Sequence, residues 1–515
     1  IAQCLVGSEM CIRDRSKYLL IGLGVLSLHS CDDFLGNKPK GYTIPEKFED
    51  YSKLLNSSYL MSSSNTVLAY LTDDLYRTSN GEIMNENDEG KLIEFTDFNF
   101  SGCNDHERNL YTFKHGQVLT AGNSDPLWNN AYENIYVYNA VANNILNVPD
   151  ATKEQREAKY AEALVGRAFE YLNLVNIFGN HYDSKTASTD YGVPILLSEV
   201  VGDGASYVRN TVAEVYDQII SDLQTATPLL PEIPTNVYHP SRTIGYAFQA
   251  RMFLYMGDYE NALKNANEAL KLNDELLDMK PYTTTYSTWG RIVLESNPDE
   301  TFPEDVDNVE NIFMRNLNGA GSGFYMDVVA SEDLIETFKR HLAPDGVDMR
   351  LRLFFATDEA NFTMNPSAAP KKFKGYSTYA PFINQNAGFT TPEIYLIAAE
   401  CEARIGSVTR ALQLLDQLRD ARIKNNVHYV EETDAPNRTE ALRLVIDERR
   451  REFAMQGAPR LIDLKRLNRE DWFRKDIVHS ADGETWTLPA NDLRYIMPIP
   501  QTVLDFNPDM PQYDR

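Results

Sequence analysis

Seven residues between positions 246 and 270 narrow the fold more sharply than any others in the chain. Tyr246, Ala250, Phe253, Gly257, Tyr259, Ala262 and Ala269 set aromatic, small and glycine types at intervals that suit two antiparallel helices in close contact. The small residues let the helix backbones approach, the aromatics fill the space between them, and Gly257 ends the first helix. A looser copy follows at 395–418, where Ala399, Gly406 and Ala411 keep the spacing and Leu415 and Leu418 take places expected for smaller or aromatic types.

This spacing is that of the tetratricopeptide repeat. The 3.6-residue apolar period appears elsewhere too, in Trp128, Ala131, Tyr132, Ile135, Asn139 and Ala142, and a longer helix is predicted from Glu154 to Phe178. Thr211 with Glu214 forms a capping box ahead of a further helix, and Pro392 suits a first helical turn. The spacing therefore predicts a mainly α fold with four helical hairpins, about 127–179, 211–273, 391–423 and 439–468. Between the second and third hairpins, 274–390 holds scattered Pro, Gly, Asn and aromatic residues with one clear helix, Ser331–His341. So long an excursion between repeats reads as a lid or a binding face.

The last hairpin carries oddly placed charges. Leu442, Val445, Ile446 and Phe453 form one apolar stripe, and Arg449 lies in it. A core-facing arginine must be paired and hydrogen-bonded, and Glu448, Glu452 and Asp463 are the nearest carboxylates in sequence. Glu448, Arg449 and Asp463 are expected to form a structural ion-pair set, in preference to a catalytic carboxylate with its arginine clamp.

The formal net charge of −26 argues against nucleic acid and against electrostatic docking on anionic lipid. Five cysteines make no disulfide framework, and Cys401 falls on an apolar helix face as a small buried thiol. The chain has no G-x-S-x-G, H-E-x-x-H, C-x-x-C or phosphate-cradling glycine loop. Its eight histidines are scattered, so no metal, cofactor or catalysis is expected. Residues 1–15 read as a non-native leader and 16–30 as a signal peptide, with Arg13, Arg15 and Lys17 ahead of the apolar run Tyr18–Leu28. Leu28-His29-Ser30-Cys31 resembles a bacterial lipobox, which implies lipidation of Cys31 and a mature chain of 31–515.

The ordered set of motifs resembles the SusD-like (RagB/SusD) family of outer-membrane nutrient-binding lipoproteins. It comprises Cys31-Asp32-Asp33-Phe34-Leu35, Gly192-Val193-Pro194, Val215-Tyr216-Asp217 through Asp222-Leu223, and Ala250-Arg251. Glu393-Ile394-Tyr395-Leu396 with Ala399-Glu400, Glu448-Arg449-Arg450, Arg460 through Arg466, Pro498-Ile499-Pro500 and Asn507-Pro508 complete it. The resemblance implies four tetratricopeptide-like hairpins supporting an irregular, loop-rich ligand-binding region. It implies a non-catalytic surface lipoprotein that captures oligosaccharide, or alternatively peptide, for a SusC-like TonB-dependent outer-membrane barrel. A glycan-degrading enzyme is the remaining alternative. A sugar site needs aromatic platforms with polar partners. By position in the family pattern, the resemblance points to the acidic pair Asp73 and Asp74. The excursion offers Tyr282, Tyr286, Trp289, Phe324 and Tyr325, with Trp289, in a weakly hydrophobic stretch, as the principal platform.

Overall fold

The computed structural model describes residues 45–77, 104–200, 207–285, 291–317, 328–357, 375–378, 385–431 and 436–515. Fourteen α-helices are described: α1 (Phe48–Leu55), α2 (Asp105–Tyr111), α3 (Pro126–Asn144), α4 (Lys153–Phe178), α5 (Val212–Ala226), α6 (Arg242–Met256), α7 (Tyr259–Leu272), α8 (Glu332–Lys339), α9 (Met349–Phe354), α10 (Thr391–Ile405), α11 (Val408–Arg422), α12 (Arg438–Glu452), α13 (Ala458–Leu467) and α14 (Gln501–Leu504). None among the described residues is long and apolar enough to cross a membrane.

Helix starts follow capping chemistry. Asp125 accepts from the Leu127 amide with Pro126 in the first turn of α3, and Thr152 with Gln155, Thr211 with Glu214 and Asn437 with Glu440 close capping boxes on α4, α5 and α12. Each satisfies backbone N–H groups that the helix leaves without partners. Gly257 ends α6 at φ +74°, a left-handed conformation that costs glycine little. Asp258 then caps α7 by accepting from the Asn261 amide.

The helices pack in sequence: α3 on α4, α4 on α5, α6 on α7, α10 on α11, with α10 also against α7 and α12. The 211–273 stretch holds three helices instead of a pair, because α5 packs back on α4 and leaves α6 and α7 as the hairpin. Close approach of α3 and α4 depends on Gly166, where a Cβ would lie 2.2 Å from the Tyr138 ring. The last long helix, α13, packs against the 3-10 helix Asn65–Leu71 near the start of the described chain.

Described parts of the 274–390 excursion are stitched to this frame by short pairings. Leu75–Arg77 pairs antiparallel with Val328–Ala330, and Asn311–Phe313 with Phe389–Thr390 just ahead of α10. A three-stranded sheet, 282–285 with 291–294 with 297–301, builds a small separate core of Met279, Tyr282, Ile292, Phe302, Met349 and Leu353. A hairpin of Ile477–Ala481 and Glu484–Leu488 turns at Asp482 and Gly483, both at positive φ, as its tight turn requires.

Candidate functional site

The organising element is α12. Successive helical residues are turned by about 100°, so the consecutive arginines 449, 450 and 451 leave the helix in three directions and end in three separate ion-pair clusters. Arg449 Nε donates to Asp463 Oδ2 at 2.9 Å, with Glu393 at 3.8 Å. Arg450 reaches Asp74 at 2.9 Å and Asp333 at 2.7 Å. Arg451 donates to Glu448 at 2.8 Å and to the Thr337 carbonyl at 2.8 Å. All three are buried. The Arg449–Asp463 pair is the expected one. Glu448 serves other arginines, Arg350 at 2.6 Å, Arg419 at 3.1 Å and Arg451, and Glu452 holds Arg350 and Arg422. Burial opposes the Glu448 charge, yet Arg350, Arg451 and Arg419 hold its carboxyl far below the usual range.

One face of α12 looks onto a surface cleft of about 730 Å³. Glu440, Arg443, Leu444, Asp447 and Arg450 line it at helical spacing. Asp333 and Thr337 of α8, then Arg340, His341 and Tyr429, form another side. Arg460 and Leu464 of α13 and the turn from Asn468 to Lys475 close it. That turn carries Trp472, 68 % exposed, with the Arg443 guanidinium 5.4 Å from its ring centroid. An exposed tryptophan stacked on arginine gives a rigid apolar plate beside hydrogen-bond donors. Arg340 pairs with Asp447 at 2.7 Å, and Lys475 with Asp73 at 2.5 Å and Asp333 at 2.9 Å. The Tyr429 hydroxyl is buried in the cleft wall with no hydrogen-bond partner among the described residues. The arrangement offers a stacking surface and charged donors.

Asp73 and Asp74 stand behind the cleft floor instead of at a ligand surface. Both are buried. Arg460 Nε meets Asp73 at 2.7 Å, Arg450 Nε meets Asp74 at 2.9 Å, and the Asp73 carbonyl accepts from Ser331 Oγ at 2.7 Å. Burial alone would raise the Asp73 carboxyl, yet Arg450, Arg460 and Lys475 hold it well below the usual range. Burial pushes Asp74 up against the same two arginines, with the Asp73 charge adding to the rise. The pair pins the chain near residue 74 to α12 and α13, so its expected ligand role gives way to a structural one.

Tyr282 is likewise a core residue: it is buried and packs on Phe302 with ring centroids 4.9 Å apart. Tyr286, Trp289, Phe324, Tyr325 and Cys31 lie outside the described residues. Sequence reasoning missed Trp472. Its one signal was an indole at the end of a polar run, Asn468-Arg469-Glu470-Asp471-Trp472.

Fold and cleft together define a helical-repeat scaffold that displays a polar, aromatic-edged surface cleft. Two family models match the chain, one described as starch-binding and associating with the outer membrane over residues 47–254, the other as the SusD family over 389–514. The chain belongs to the SusD-like family. It is 24 % identical over 494 residues to SusD-like protein P2 of Formosa agariphila, covering 86 % of this chain and 89 % of that protein. A crystal structure of a putative sugar binding protein from Bacteroides vulgatus superposes with a TM-score of 0.66 at 21 % identity, covering 92 % of this chain and 99 % of that one. A SusD superfamily structure from Bacteroides thetaiotaomicron gives 0.63 at 20 % identity, covering 91 % of this chain and 100 % of that one.

Proposed function

We propose that this protein captures oligosaccharide at the outer face of the outer membrane and passes it to a TonB-dependent barrel, without catalysis. The carrying observation is an open cleft edged by an exposed indole and charged donors in a chain of the SusD-like family, one of whose models is described as starch-binding. Sugars offer apolar C–H faces to stack on such a plate and hydroxyls to its polar neighbours. The likeness in fold to the putative sugar binding protein from Bacteroides vulgatus supports the same ligand class. In this reading a lipid on Cys31 tethers the protein, and Tyr286, Trp289 and Tyr325 of the excursion add further contacts.

Affinity electrophoresis and calorimetry against a panel of soluble polysaccharides test the proposal. Binding with the glycan recovered intact is the expected result. Release of reducing ends would establish an enzyme instead, and retention on peptide with indifference to every glycan would favour peptide import.

A further inference from the structure

Arg443 is the odd charge in the cleft. The chain carries 75 acidic residues against 49 basic ones, yet Arg443 has no hydrogen bond or ion pair among the described residues, only its contact with the Trp472 ring. Its two acidic neighbours along α12 are occupied. Glu440, three residues back, turns to the Asn437 amide at 3.0 Å to close the capping box, and Asp447, four residues on, is held by Arg340 at 2.7 Å. Both would otherwise be the natural helical partners of an arginine at this position. The cleft as a whole is lined by six basic side chains, Arg340, Arg443, Arg450, Arg460, Arg474 and Lys475, and three acidic ones, Asp333, Glu440 and Asp447. The buried Asp73 and Asp74 behind the floor offset two of the cations, and Asp471, paired with Arg474 at 3.0 Å, offsets a third. The cleft therefore lacks the strong negative charge of the rest of the molecule, and the guanidinium of Arg443, without a carboxylate partner among the described residues, lies over the stacking plate.

We infer that the cleft is a subsite for the anionic sugars of an acidic oligosaccharide, with Trp472 stacking a uronate ring and Arg443 receiving its carboxylate. This rests on the glycan-capture reading and names its substrate class. A guanidinium takes a carboxylate through two parallel N–H···O bonds, a geometry that a sugar hydroxyl does not reproduce. A cleft of about 730 Å³ is in the range of ordinary small-ligand sites. An acidic peptide would share the charge but not the flat apolar ring that an exposed indole selects.

The test is calorimetry of the whole soluble chain with trimers of galacturonic, mannuronic and glucuronic acid, each beside its neutral hexose trimer, at low and high salt. At least one uronate trimer is expected to bind tenfold or more tightly than its neutral counterpart and to weaken as salt rises. Arg443→Gln is expected to erase that preference, Arg443→Lys to restore part of it, and Trp472→Ala to lower affinity tenfold. Both residues are exposed, so the variants should melt as the parent does. Equal affinity for acid and neutral trimers, no affinity for any uronate, variants that bind like the parent, or tighter binding of hexaglutamate would each overturn the inference. If the polysaccharide panel still binds under those outcomes, the capture function stands and only this subsite falls.

Discussion

At the scale of single residues, the interior is unusual for its charges, and Glu170 shows what one of them does. It sits buried in α4 and accepts from Asn134 Nδ2 at 2.9 Å. Burial outweighs that bond and the Arg315 charge, raising its carboxyl from an ordinary 4.5 to about 7. An acid raised in the folded state binds a proton more tightly folded than unfolded. The destabilisation is therefore absent below pH 4.5, grows as pH rises to about 7, and is constant above. Glu170→Gln keeps the acceptor and removes the charge, so it should stabilise the protein by about 3 kcal/mol at pH 8 and change little at pH 4. Urea unfolding at the two pH values measures this, and equal effects at both would contradict it. Trp289 lies outside the described residues, and its role rests on its place in the sequence. Trp289→Ala should weaken glycan affinity with no loss of melting temperature, and an unchanged affinity would remove it from the site.

At the scale of elements, glycine separates two kinds of helix contact. Gly257 has no atom within 4 Å of a would-be Cβ but sits at φ +74°, so Gly257→Ala should cost about 1 kcal/mol, the strain of a left-handed alanine. Gly166 has ordinary backbone conformation, but a Cβ there would strike Tyr138, and Gly166→Ala should cost about 1–3 kcal/mol through forced separation of α3 and α4. Chemical unfolding of the pair would show whether the order holds. The same elements show what the sequence made legible. The Tyr246–Ala269 spacing and the Thr211 capping box are local signals, and α5, α6 and α7 start and stop close to where they indicate. Arg451 is a local partner of Glu448, three residues on, but its other two are not: Arg350 lies 98 residues away and Arg419 29, and no periodicity reports such pairings. The cleft is equally hidden, because α8, Tyr429, α12, α13 and the Trp472 turn come together only in the fold. Asp73 and Asp74 were visible as an acidic pair, but the arginines that claim them lie about 380 residues on.

At the scale of the whole molecule, the helical frame and the proposed lipid tether are separable properties. The proposed anchor is the acyl chains on Cys31, since a single hydrocarbon chain holds a protein only marginally. Cys31→Ala should leave a folded, glycan-competent protein that no longer sediments with outer membranes when the partner barrel is absent, and fractionation with immunoblotting reads this directly. Retention of that variant in the membrane pellet would refute the tether. The three consecutive arginines of α12 bear on the molecule's dealings with its medium. Asp463, Asp74 and Glu448 meet them where mobile ions do not reach, so the Debye screening that weakens rim charges such as the half-exposed Asp333 leaves those pairs largely untouched. The scaffold should therefore keep its shape from dilute buffer to brine, while an acidic cargo held at Arg443 would be shed as the brine strengthens.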